Sequence, residues 1–169
     1  MNESSTHVGR VTTRDDYETP EELWKPIQDF YQLTIDCAAS VSLSKFPIYY
    51  SEENSFLTCD GRELLGQRCW LNPPFSLKEK FLARVVEVRN IASLFVCIVP
   101  NNARETDWWR EQVWPHADEI ISLSPRVNYF LDGKEVKGVP YPSCLVIYRP
   151  RLNAVYGAPR EICWRWKEE

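Results

Sequence analysis

Cys69-Trp70-Leu71-Asn72-Pro73-Pro74-Phe75-Ser76 is the stretch on which the reading of this chain turns. Cys-Trp-Leu has the apolar, partly aromatic character of a buried strand near its end. It stops at Asn-Pro-Pro-Phe, and the run from Leu77 to Val88 continues with helical spacing. Two consecutive prolines stiffen the corner. The ring of Pro73 locks its φ, and Pro74 pushes the ψ of Pro73 to extended values, so the Pro73 carbonyl points one way with no ladder partner. Beside it Asn72 offers an amide oxygen, and Phe75 an aromatic face. Two fixed acceptors and a ring suit a planar heterocycle bearing an exocyclic NH2, which donates one hydrogen to each acceptor while the ring stacks. Both bonds draw the nitrogen lone pair out of conjugation and make the amine a better nucleophile. The architectural alternative is a strand-to-helix corner that happens to contain two prolines.

The rest of the chain sets bounds. Its 169 residues suit one domain with a proper core. A composition 44% hydrophobic and 26% charged is that of an ordinary globular protein. No apolar run approaches the ~20 residues that span a bilayer. Met1 to Asp16 is polar, without the apolar segment of a signal peptide, and a soluble, cytoplasmic protein is expected. The net charge of −4 does not advertise nucleic acid, but a local basic face matters more than the total. The six cysteines, at 37, 59, 69, 97, 144 and 163, include no Cys-x-x-Cys pair. Four of them (37, 69, 97, 144) lie in apolar surroundings, so buried reduced thiols are expected and no metal site is.

Along the chain, residues 1–14 read as a mobile arm. Tyr17-Glu18-Thr19-Pro20-Glu21-Glu22 opens a helix, with Thr19 as cap, and Leu23, Trp24, Ile27, Phe30 and Tyr31 recur at its spacing. Leu33 to Ala39 is a short strand ending in Asp36 and small residues, and a second strand is expected at Phe46 to Tyr50. Arg62 to Leu65 reads as a helical turn. Ala92 to Pro100 is a continuous apolar run, the mark of a strand buried on both faces. A helix from about Thr106, a strand at Glu119 to Leu123, a hairpin or ordered loop at Ser124 to Tyr141 and a strand at Cys144 to Tyr148 follow. The aromatic, basic tail reads as an edge strand or docking segment. Alternating strands and helices predict one α/β domain.

Tyr17-Glu18-Thr19-Pro20, Thr34-Ile35-Asp36-Cys37-Ala38-Ala39-Ser40, Asn72-Pro73-Pro74-Phe75, Trp108-Trp109 and Tyr141-Pro142-Ser143 together resemble the phage-type DNA N6-adenine methyltransferase family (Dam-like). The resemblance spans roughly residues 15 to 149. It implies a Rossmann-like, S-adenosylmethionine-dependent fold: three layers, a mostly parallel sheet and an antiparallel edge strand. It also implies one minimal domain over residues 15–169, with target-recognition loops after residue 100. The setting would be the host cytoplasm if the protein is phage- or prophage-encoded.

On that resemblance Asn72, Pro73, Pro74 and Phe75 are the catalytic group. S-adenosylmethionine would be held by Thr19, Pro20, Asp36, Ala38, Glu52, Asn54 and Phe56. Asp36 would take the ammonium of the methionine moiety, Glu52 or Glu53 the ribose hydroxyls and Asn54 an adenine edge; the alternative for Asp36 is a strand-end cap. Ala38-Ala39 stands where larger methyltransferases have Gly-x-Gly. Double-stranded DNA is the implied partner, with its adenine flipped out. Asn101, Asn102, Arg104, Arg126, Asn128 and Lys134 would face phosphates and base edges. Trp108 and Trp109 read as core or ledge residues, and neither His7 nor His116 as a base. Two further readings stay open: methylation of cytosine N4 or protein glutamine, and a decayed scaffold that binds DNA or inhibits without turning over.

Overall fold

The computed structural model describes residues 14–39, 44–152 and 157–168. The expected arm, residues 1–14, lies outside these residues except for Arg14, where a 3-10 turn (Arg14–Asp16) begins. The fold is mixed α/β. Six strands form the main sheet: β1 (Ile35–Asp36), β2 (Arg68–Leu71), β3 (Leu94–Pro100), β4 (Glu119–Ser124), β7 (Ser143–Tyr148) and β8 (Arg160–Arg165). A small antiparallel hairpin, β5 (Phe130–Leu131) with β6 (Lys134–Glu135), stands apart. The order in the main sheet is β1-β2-β3-β7-β4-β8.

Strands β1, β2 and β3 pair in parallel, as do β4 and β8. Only β7 runs the other way, antiparallel to both β3 and β4. This corrects the expected antiparallel edge strand: β7 is interior, and the edges are β1 and β8. The physical reason is burial. Every residue of Ser143–Tyr148 is buried, which an interior position provides and an edge does not. The tail forms β8, as an edge strand.

Side chains alternate across the sheet and build a core on each face. Cys69, Leu71, Phe95, Cys97, Val99, Val146 and Tyr148 pack with Leu82 and Val85 of α2 (Lys78–Val88) and with Trp109. Trp70, Val96, Ile98, Leu145 and Ile147 pack on the other face with Leu23, Trp24 and Ile27 of α1 (Glu21–Tyr31). The sheet is thus covered on both sides. All six cysteines are free thiols, with 37, 69, 97 and 144 buried as expected. Burial pushes the Cys144 thiol up to about 12, so it is an inert apolar filler.

Several expectations need adjustment. Pro20, not Thr19, caps α1, and no side chain completes the cap. Phe30 leaves the apolar stripe and is 78% exposed. Phe46 to Tyr50 makes one parallel bridge, Asp36 to Tyr49, rather than a strand; Ile48 is exposed, so the segment has no second face to bury. The turn after Thr106 is π-helical over Trp109–Val113, with Trp108 and Trp109 both in the core.

The end of the sheet where β4 begins is fastened by charge. Arg89, 5% exposed at the C-terminus of α2, donates to the carbonyls of His116 and Arg149 and to Asp118 Oδ2 at 3.0 Å. Asp118 Oδ2 also accepts from the Arg149 N–H at 2.7 Å, while Asp118 Oδ1 accepts from Arg151 Nε at 3.2 Å and from a terminal nitrogen at 3.1 Å. Burial lowers the Arg89 pKa, and Asp118 opposes that shift. Asp118→Ala would leave a buried guanidinium without its counter-charge, at a cost of about 3 kcal/mol. Urea unfolding checks this, with Glu79→Ala on the exposed side of α2 expected within ~0.5 kcal/mol of the parent.

Candidate active site

The other end of the sheet, where β1, β2 and β3 finish side by side, is where open α/β sheets receive ligands. Asn72 follows β2 directly. Its Nδ2 donates to the Tyr17 carbonyl at 2.9 Å and lies 3.4 Å from Thr19 Oγ1. A backbone carbonyl only accepts, so the limb of the amide facing Tyr17 is the NH2, and the oxygen lies on the other limb as an acceptor. Pro74 is extended (φ −50, ψ 132) and its carbonyl receives the Leu77 N–H. Among the described residues no donor reaches the Pro73 carbonyl. Asp15 clamps the turn that follows, accepting from the Ser76 N–H at 2.7 Å and the Ser76 hydroxyl at 2.6 Å.

Asn72, Pro73 and Phe75 line one small concavity with Tyr17, Lys78, Tyr129 and Tyr141, over a floor of Ile98, Val99 and Pro100. Two aromatic stacks wall it. Phe75 lies on Tyr141 with centroids 5.3 Å apart and planes at 26°, and Tyr17 on Tyr129 at 5.5 Å and 10°. The Tyr129 hydroxyl is bonded to buried Ser143 at 2.8 Å. The concavity holds about 20 Å³, room for one water. A broader, flat depression along Glu21, Glu22, Lys25, Pro26 and Asp29 is one side of α1 and gathers no comparable set.

Thr19 is 3% exposed and buried Pro20 adjoins it. Lys45 Nζ reaches the Thr19 carbonyl at 3.3 Å, and the Lys45 N–H approaches Asp36 Oδ2 at 3.3 Å. Asp36 Oδ1 accepts from the Ala38 N–H at 3.1 Å. Burial holds the Asp36 carboxyl above its ordinary value, against those two N–H groups and the Lys45 charge. Thr19, Asp36, Lys45 and Asn72 therefore form one connected patch. Ala38 is half-buried beside it; Glu52 and Asn54 are exposed on the turn after Tyr50. Phe56 is elsewhere: it is 1% exposed in the core against Tyr50, Phe81 and Phe95, with no face for a ligand.

Of the residues expected to face DNA, Arg104 is engaged internally. It binds Asn101 Oδ1 at 2.8 Å and Glu161 at 3.0 Å, and its guanidinium lies 5.2 Å from the Trp109 ring. Asn101 also donates to Ser122, and Asn128 to Glu135. Asn102, Arg126 and Lys134 are exposed. The hairpin carrying Lys134 is tied to the site, because Glu18 and Phe130 exchange backbone hydrogen bonds of 2.9 and 3.0 Å next to Tyr17. His116, with its pKa lowered by burial and by Arg89 and Arg151, belongs to the opposite end.

Lys78, Tyr129 and Tyr141 were not among the expected site residues. Lys78 was findable, since three residues after Phe75 at a helix start is the same side of the turn. Tyr129 had no local signal. Among the described residues no cluster of His, Cys, Asp and Glu could hold a metal, and no helix is long and apolar enough to cross a membrane.

An asparagine oxygen and a proline carbonyl beside stacked aromatics can receive a planar ring with an amino group. Comparison with known proteins then identifies the lineage. Residues 5–163 match the family described as DNA N-6-adenine-methyltransferase (Dam), and the chain belongs to that family. It is similar to the DNA N-6-adenine-methyltransferase of Haemophilus phage HP1 (strain HP1c1), 24% identical over 163 residues, covering 94% of this chain and 89% of the relative.

Asp36 has a consequence for stability. Its raised folded-state pKa means that the stabilisation by its proton is fully present below the ordinary value of 3.8 and is lost as pH rises through the folded value. Asp36→Asn removes that titration while keeping an oxygen for Ala38. The Tm of the variant relative to the parent should therefore rise between about pH 3.5 and pH 7; melting curves across that range check it.

Proposed function

We propose that this chain transfers the methyl group of S-adenosylmethionine to the N6 amino group of an adenine turned out of duplex DNA, on a Rossmann-like methyltransferase sheet. The observation that carries this reading is the fixed amide of Asn72. Because its NH2 is taken up by Tyr17 and Thr19, its oxygen is left to accept one hydrogen of the incoming amine, and the Pro73 carbonyl accepts the other. Both acceptors draw on the same nitrogen, and its lone pair leaves conjugation with the ring. Unpairing costs a few kcal/mol, offset by these bonds and by stacking on Phe75.

The residues at the ends of β1 and β2 suit the cofactor in kind. Asp36 uses two of its lone-pair positions on N–H groups and keeps others for an ammonium, and a cation there would relieve the cost of its burial. Glu52 and Asn54, both exposed, would meet ribose hydroxyls and an adenine edge; Thr19, Pro20 and Ala38 would contribute shape. Phe56 has no part in this, being sealed in the core. When bound, the cofactor supplies an electrophilic methyl group on a sulfonium. The protein's own task is alignment and exclusion of water rather than acid-base catalysis, and no histidine is assigned to it. Asn102, Arg126 and Lys134 are the exposed donors for DNA, whereas Arg104, Asn101 and Asn128 would act through the shape of their loops.

Asn72→Ala should reduce methyl transfer by ~10²–10³ while cofactor binding persists, by analogy with loss of a transition-state hydrogen-bond partner. Phe75→Leu should act more on DNA affinity than on turnover, since leucine fills the space without a π face. Tritiated methyl transfer to adenine-containing DNA, beside calorimetric titration with S-adenosylmethionine, separates the effects. Near-parental turnover by Asn72→Ala would overturn the reading, and absence of cofactor binding by the parent would favour a scaffold without catalysis.

A further inference from the structure

Among the described residues Lys78 is the one cation in the wall of the concavity that holds Asn72 and Pro73. Its Nζ lies 4.7 Å from the Phe75 ring centroid and 5.6 Å from that of Trp108, and donates to the Phe75 carbonyl at 3.3 Å. Among the described residues no carboxylate pairs with it, as none pairs with Lys45 or Lys134, but Lys78 alone of these lines the concavity. Its counterweights among the described residues are two π faces and a carbonyl dipole, which hold an ammonium in place without cancelling its charge.

We propose that Lys78 is a positioning residue that takes a backbone phosphate of the substrate strand beside the flipped nucleotide, resting on the methyl-transfer reading above. Methylation passes positive charge from the donor to the amine, so a fixed and unbalanced cation beside that amine opposes the reaction. A phosphodiester neutralises it, and only when substrate is in place. The geometry fits this division of labour. Lys78 sits on the first turn of α2 immediately after the Pro-Pro corner, so a phosphate bound there fixes the sugar while Asn72 and Pro73 receive the base. A lysine suits the task as a point charge that needs no bidentate alignment.

The test measures DNA affinity against salt, without cofactor and without turnover, for the parent, Lys78→Gln and Lys78→Arg. Glutamine removes the charge and keeps an amide donor on a side chain one atom shorter. Each lost contact with duplex phosphate should flatten the slope of log affinity against log salt by about 0.9. Lys78→Gln should show that change with its S-adenosylmethionine affinity within about twofold of the parent, and Lys78→Arg should keep the parental slope. An unchanged slope for Lys78→Gln overturns the proposal, as does a tenfold loss of cofactor affinity, which would assign the ammonium to the cofactor carboxylate. Equal loss of slope in Lys78→Arg would overturn it too, since packing and not charge would then be responsible. Binding is read without turnover, so a parent inactive in methyl transfer would sink the proposed reaction and leave this readout intact.

Discussion

A buried guanidinium must be surrounded, and Arg89 sets the terms for one end of this fold. Its hydrogen bonds to the carbonyls of His116 and Arg149 and to Asp118 join the end of α2, the entry to β4 and the exit from β7. Because Asp118 divides its two oxygens between Arg89, Arg151 and the Arg149 N–H, these segments cannot separate one at a time. The constraint is electrostatic and local, and it frees the opposite end of the sheet from having to hold the elements together.

That opposite end is built from different material. Asn72, the Pro-Pro corner, two aromatic stacks and Lys78 meet there with few charges and little empty space. Its ties to the N-terminal segment include the Asn72 amide, the backbone bridge from Glu18 to Phe130 and the Asp15 clamp on Ser76. Stacked rings can slide and part at lower cost than a charge network can be broken, so this end yields more readily than the end fastened by Arg89 and Asp118. The Asn72 NH2 anchors the N-terminal segment, and its oxygen is left as an acceptor.

Family membership and this arrangement support each other without being the same statement. The family match covers almost the whole chain, while the geometry says which limb of Asn72 is available and which expected residues are spoken for. Arg104 illustrates the gain. On sequence it is a natural phosphate ligand, yet its guanidinium lies against two tryptophan rings and is paired with Glu161, where it supports the π-helical turn.

The sequence by itself determined most of the elements and the Asn-Pro-Pro-Phe corner, because those are written in contiguous residues. The apolar run of β3, the strand ending at Leu71, the helix after Phe75 and the stiffness of Pro73-Pro74 follow from local sterics and hydrophobic period. The buried thiols, the burial of Trp108 and Trp109 and the edge position of the tail were legible in the same way. Only the tertiary structure decided where β7 inserts, because strand order depends on which faces are left to bury, not on any one strand's residues. It also decided that Phe56 is core and that Tyr17, Tyr129 and Tyr141 share a wall with Asn72. Those facts join residues up to fifty or more positions apart, as in the bond from Asn72 to the Tyr17 carbonyl. Contacts over such separations are set by how the two cores pack against the sheet, and no local pattern in the chain encodes them.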